Sequence, residues 1–155
     1  MNKNKKIALF IIILTGILVP FIDSILIFEM FFLLIPFAII FVLTLIYLIV
    51  SLLNKKLNPR KALFVFSILP LFVISQLTSD FVFDRIQRFR IKSAIVEIEQ
   101  FKNSKGEFPK SIDLKMGVEY TAGENGYAFK YSRGFLETVR YNSADKEFVV
   151  YGWND

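Results

Sequence analysis

Lys61-Ala-Leu-Phe-Val-Phe-Ser-Ile-Leu-Pro-Leu-Phe-Val-Ile-Ser-Gln-Leu-Thr-Ser-Asp80 decides how the chain is read. Sixteen residues, 62–77, carry no charge, and Asp80 then opens a sequence of ordinary mixed polarity. Two similar runs precede it, 7–22 and 30–53, also without a charged side chain. A helix needs about 20 apolar residues to cross a hydrocarbon core of roughly 30 Å. The middle run meets that length, and the outer two reach it with their weakly polar flanks. Residues 1–79 are therefore expected to form a membrane region of three transmembrane helices. Residues 80–155 are expected to form a small α+β domain.

The charge distribution supports this division. The net charge of +5 suggests nucleic-acid binding only until it is mapped. Residues 1–79 hold seven basic side chains (Lys3, Lys5, Lys6, Lys55, Lys56, Arg60, Lys61) and two acidic ones (Asp23, Glu29), which is the whole excess. Residues 80–155 are neutral, with twelve of each sign. The excess is a topology signal and gives no electrostatic footprint for nucleic acid. Short cytoplasmic loops collect Lys and Arg, so residues 1–6 and 54–61 are placed inside. The turn at 21–29 is placed outside, and three spans then leave the C-terminal domain outside. Arg85, Arg88, Arg90 and Lys92, just past the third run, oppose this orientation but are outnumbered. The segment Val19-Pro20-Phe21-Ile22-Asp23-Ser24 has no small-x-small cleavage pattern, so the first run is read as a retained span. Pro20, Pro36 and Pro70 are read as kinks or helix starts. Thr15, Gly16, Thr44, Ser67 and Ser75 are read as helix-packing positions.

Residues 83–103 have helical periodicity. Ile91, Ala94, Ile95, Ile98 and Phe101 make one apolar face, while Val82, Ile86 and Phe89 make another. At about 100° per residue the two point roughly 160° apart. Either the helix breaks near Phe89–Arg90, or its first turns continue the third span and touch something other than the domain core. The second reading is favoured. Gly106 with Pro109 ends the helix. Strand patterns follow at 127–132, 135–141 and 147–153, with 118–121 as a fourth. Arg133-Gly134 reads as the hairpin connection. One long helix on an antiparallel meander of three to four strands results.

The helix end Phe101-Lys-Asn-Ser-Lys-Gly-Glu-Phe-Pro-Lys-Ser-Ile112 and the Tyr-rich meander after it resemble the globular domain of type II secretion pseudopilins. The resemblance covers residues 91–153 and is carried by Gly106, Phe108 and Pro109. It implies a pilin-like periplasmic domain. The chain departs from that family before the helix. The preceding span is the third, and Lys61-Ala-Leu-Phe-Val-Phe66 has neither a prepilin-peptidase site nor the family's Glu. Processing, filament assembly and the calcium site of some members are not implied.

Candidate chemistry is sparse. With no His and no Cys, the commonest general base, the commonest metal ligand and any disulfide are removed. No phosphate loop, dinucleotide fingerprint, nucleophile elbow or zinc motif is present. Asp80 and Asp84 suit a cation or a shared proton, but more simply Asp84 pairs with Arg88, and Asp80 caps or meets headgroups. The tyrosines and Trp153 are read mainly as core and sheet cover rather than a ligand platform. No catalytic, metal or cofactor residues are assigned. The residues assigned to a partner or lipid surface are Val82, Arg85, Ile86, Arg88, Phe89 and Arg90.

The expected function is thus that of a non-enzymatic bacterial inner-membrane protein, N-terminus cytoplasmic. It displays a periplasmic interaction module as an accessory or scaffold subunit of an envelope complex. Its partners are the lipid bilayer and a membrane or periplasmic protein, without nucleic acid. A membrane immunity protein against a secreted toxin fits the same size and spans, and a toxin gene beside it would favour that alternative. A small transporter or enzyme is the third and least supported reading.

Overall fold

A computed structural model describes residues 3–54, 57–114, 117–123 and 125–152. Its elements in chain order are helix α1 (Lys3–Leu18), a 3-10 turn (Val19–Phe21), α2 (Asp23–Phe28), a π turn (Glu29–Leu33), α3 (Leu34–Leu53), α4 (Pro59–Lys105) and strands β1 (Glu119–Ala122), β2 (Tyr127–Gly134), β3 (Glu137–Asn142) and β4 (Glu147–Tyr151). The chain divides into two compact units, Met1–Ser79 and Asp80–Asp155. Helices Lys3–Phe21, Asp23–Leu53 and Pro59–Lys105 are long and apolar enough to cross a membrane.

The first unit corrects the expected loop at 21–29. Only Ile22, in extended conformation (φ −118°), interrupts the helices there. Pro20 tightens the end of α1 into a 3-10 turn, and Asp23 restarts the helix with its charge at the positive end of the dipole. The π turn lies directly before Pro36, which has no N–H to give to the carbonyl of Phe32. Glu29, expected in the loop, sits in that π turn and accepts a 2.9 Å hydrogen bond from Gln76 Nε2. Gly16 faces α4 so closely that a Cβ there would collide with Ser75 Oγ and stand 2.8 Å from the Phe72 carbonyl. Such close backbone approach is how small residues pack membrane helices. Ser79 Oγ adds a bond to the Ile17 carbonyl at 2.9 Å, and Phe37 and Phe41 of α3 meet Phe72 and Phe66 of α4. Lys55 and Lys56 lie outside the described residues.

Asn58 caps α4, its Oδ1 accepting from the N–H groups of Arg60 and Lys61, with Pro59 at the first helical position. The helix then runs 47 residues through Pro70. The third apolar run and the helix of the α+β unit are therefore one helix, not two, and Phe83 is not a helix start. It ends at Lys105, where Gly106 adopts φ +81° and its N–H reaches the Lys102 carbonyl at 2.7 Å.

In the second unit the strands form one antiparallel sheet in the order β1-β2-β3-β4. Tyr127, Phe129 and Tyr131 alternate inward along β2 and meet Ile91, Ala94 and Ile98 of α4, with Val118, Val139 and Tyr141 completing the core. Phe101, expected in this core, is instead exposed. Phe108 packs edge-on against Tyr127, and the Pro109 carbonyl accepts from the Tyr120 hydroxyl, which ties the loop after α4 to β1. The hairpin connection is also corrected. Arg133 and Gly134 belong to β2, with a bulge between Ser132 and Gly134, and the turn is Phe135-Leu136. The last strand ends at Tyr151; Trp153 lies outside the described residues.

Candidate interaction surface

The first turns of α4 in this unit are inverted in polarity. The side facing the sheet carries Asp80, Asp84 and Gln87, all buried, Gln87 completely. The opposite side carries Val82, Ile86 and Phe89, which are 47%, 45% and 72% exposed. The helix is unbroken through these residues, and both apolar faces read from the sequence are present. From Ile91 onward one of them packs on the sheet, and before it the other stands open.

Burial of two carboxylates is costly unless each is paired and hydrogen-bonded. Both are. Arg133 donates from Nε and Nη2 to Asp80, the shorter distance being 2.9 Å, and its Nη1 lies 3.5 Å from Glu137. The bond to Asp80 raises the Arg133 pKa further, against the opposing effect of burial. Arg88 Nε donates to both oxygens of Asp84 at 2.9 and 3.1 Å, and the Tyr131 hydroxyl donates to Asp84 Oδ1 at 2.6 Å. Asp84 thus has the expected i,i+4 partner. Asp80 lies inside α4 and so caps no helix; it is half of an ion pair with a residue 53 positions away. With both carboxylates occupied, the cation-site reading has no geometry behind it, and among the described residues no three potential metal ligands converge.

The structure brings four of the six assigned surface residues together. Val82, Ile86 and Phe89 share the open face, and Arg85 borders it, its guanidinium 5.1 Å from the ring centre of Phe81. Arg88 departs: it turns to Asp84 and lies over the Phe148 ring at 5.0 Å. Arg90 flanks the face half-buried, and its Nη1 is shielded without a hydrogen-bond partner among the described residues. Sequence reasoning missed Val96, 56% exposed, and Phe81, 55% exposed. The signal for Val96 was present. Positions 82, 86, 89, 93 and 96 recur at alternating intervals of four and three, with Ser93 as the polar member.

The outer face of the sheet holds a shallow depression of about 490 Å³ lined by Glu119, Thr121, Lys130, Thr138, Arg140 and Tyr151, among others. Charges of both signs line it. Inside the sheet, burial raises the pKa of Tyr120, Tyr127, Tyr131 and Tyr141. Hydrogen bonds to Glu99 and Asp84 raise Tyr127 and Tyr131 further. A phenol whose folded pKa is raised stabilises the fold below its unfolded value, about 10, and that contribution is lost as pH rises beyond it. Stability should therefore hold level between neutral pH and about 10 and fall above it. Tyrosinate absorbance should appear in the native protein later than in the denatured chain. Coincident titration curves for the two states would contradict the assigned burial.

Comparison with protein-family models, with characterised proteins and with solved structures gave no match.

Proposed function

We propose that this is a non-enzymatic bacterial inner-membrane protein whose C-terminal unit is a periplasmic interaction module, acting as an accessory or scaffold subunit of an envelope complex. The inverted helix carries the proposal. A surface that buries Asp80, Asp84 and Gln87 while leaving Phe81, Val82, Ile86, Phe89 and Val96 in the open has spent its polar groups inward. Contiguous apolar surface rimmed by cations marks a protein or membrane contact. Arg85, exposed beside this face, suits acidic groups on a partner protein or phosphate headgroups. The pilin-like reading rests on the sequence resemblance through Gly106, Phe108 and Pro109, and the bacterial assignment rests on it and on a composition rich in Ile, Phe and Lys. The periplasmic orientation rests on the basic segments 1–6 and 54–61.

The double change Ile86→Ser, Phe89→Ser tests the surface. Thermal stability of the full-length protein in detergent should stay within about 1 kcal/mol of the parent, as at other surface positions. Recovery of co-purifying membrane partners in mild detergent, or association with anionic vesicles, should fall. Destabilisation by several kcal/mol with unchanged association would place both residues in the core instead. Orientation is checked separately: alkaline phosphatase fused after residue 155 should be active, and an active cytoplasmic reporter there would reverse the topology.

A further inference from the structure

The β2–β3 turn is built from the wrong residues for its shape. A two-residue hairpin with positive φ at both central positions selects Asn, Asp and Gly. Here Phe135 has φ 51° and Leu136 φ 60°. Left-handed backbone at bulky residues is rare, and it persists where the surroundings hold it and where function uses it.

The surroundings are visible. β2 runs antiparallel to α4, tied at three levels: the Tyr127 hydroxyl to Glu99, the Tyr131 hydroxyl to Asp84, and Arg133 to Asp80. Each tie lies nearer than the last to the end of the unit at which α4 enters it. Phe135 and Leu136 come next along the strand, so the tip lies at that end. By sequence, Asp80 is only three residues past Leu77, the last residue of the third apolar run. At about 1.5 Å per helical residue that is less than one turn. Phe81 and Val82, exposed on the helix at the same level, are apolar too.

We propose that Phe135 and Leu136 form an interfacial anchor that enters the headgroup–acyl boundary of the bilayer holding α4, with the Asp80–Arg133 pair as the bracket that fixes its depth. The occupant is lipid because the tip lies at the end of its own unit where α4 enters, because by sequence an uncharged apolar run ends three residues before that entry, and because neither side chain offers a polar group for recognition. Aromatic and aliphatic side chains gain most from such a boundary, where one end is apolar and the other wet. The proposal rests on residues 62–77 crossing a bilayer. It is independent of which partner the helix face meets.

The absence of native cysteine makes the test direct. Leu136→Cys, Ala144→Cys and Ile74→Cys are each labelled with an environment-sensitive fluorophore in the full-length protein. The variants are then reconstituted into phosphatidylethanolamine–phosphatidylglycerol vesicles. Lipid bearing a doxyl group near its headgroup should quench the label at 136 several-fold more than the label at 144, in the turn at the opposite end of the sheet. Aqueous iodide should do the reverse. With Phe135→Asn added, the domain should melt higher as strain is relieved, while lipid quenching at 136 drops. Iodide quenching at 136 equal to that at 144 would overturn the anchor, and so would shielding from both quenchers. Position 74 separates the failures. If it is lipid-quenched and 136 is not, only the anchor falls; if 74 is reached by iodide alone, the membrane reading falls with it.

Discussion

Ile98→Asp should abolish cooperative melting of the C-terminal unit. Ile98 is 1% exposed and packs among Ile91, Ala94 and the inward rings of the sheet. A carboxylate placed there has no partner. It must either ionise in an apolar site or fold protonated, and it also forfeits the burial of the isoleucine. Burial of an unpaired polar or charged group together with lost packing costs several kcal/mol. A small domain has only about 5–15 kcal/mol to lose. Near-ultraviolet circular dichroism of the buried tyrosines, followed during heating in detergent, should show no sharp transition. Ile98→Leu, which keeps the volume, should cost less than about 1.5 kcal/mol. A melt unchanged by Asp would mean that the helix presents a different face to the sheet.

Arg133→Ala should be the next most damaging single change. It leaves Asp80, 10% exposed at its side chain, without the guanidinium that carries its charge. Removing one partner of a buried pair costs about 3–5 kcal/mol. Because Arg133 itself keeps 26% of its side-chain surface in solvent, the lower end of that range is expected. Removing both partners should be milder than removing the cation alone. The double change Asp80→Leu, Arg133→Leu is therefore expected to recover most of the lost stability in chemical denaturation. If the double variant is as unstable as Arg133→Ala, the carboxylate is not the source of the cost and the pair is not buried as described.

These residues also show what the sequence could and could not disclose. Three uninterrupted apolar runs and a period-two strand pattern are local signals, and each led to the corresponding helix or strand. The Asp84–Arg88 pair is one helical turn long and was legible for the same reason. The Asp80–Arg133 pair joins residues 53 positions apart, and no local spacing announces it. Without that partner, Asp80 read as a cap or a headgroup contact, although the favoured reading already carried the first turns of the domain helix on from the third apolar run. The hairpin was misread because Gly134 invites a turn. Its φ of +104° does need glycine, but for the bulge, while the turn itself fell on two residues that ordinary turn chemistry disfavours. The surface on α4 was legible as a conflict between two faces. The loss of Arg88 from that surface was half legible: its Asp84 partner lies one helical turn away, but the Phe148 ring beneath it and the Tyr131 hydroxyl that holds Asp84 are supplied only by the folded sheet.

The meander also dictates a timetable. Each strand pairs with the one made just before it, so the sheet closes by short-range steps as the strands are synthesised. The acids of α4 do not wait equally. Asp84 has Arg88 within the same helical turn, but Asp80 must remain without its cation until Arg133 is added. At about 5–20 residues per second that interval lasts roughly 3–10 s. During it the newborn helix carries a bare carboxylate and an unclothed Ile91–Ile98 stripe side by side. A ribosome stalled between β1 and β2 would hold the chain in that state, open to proteases and holdases. Once Arg133 has left the ribosome and β2 has packed on the helix, Asp80 is neutralised and the stripe partly covered.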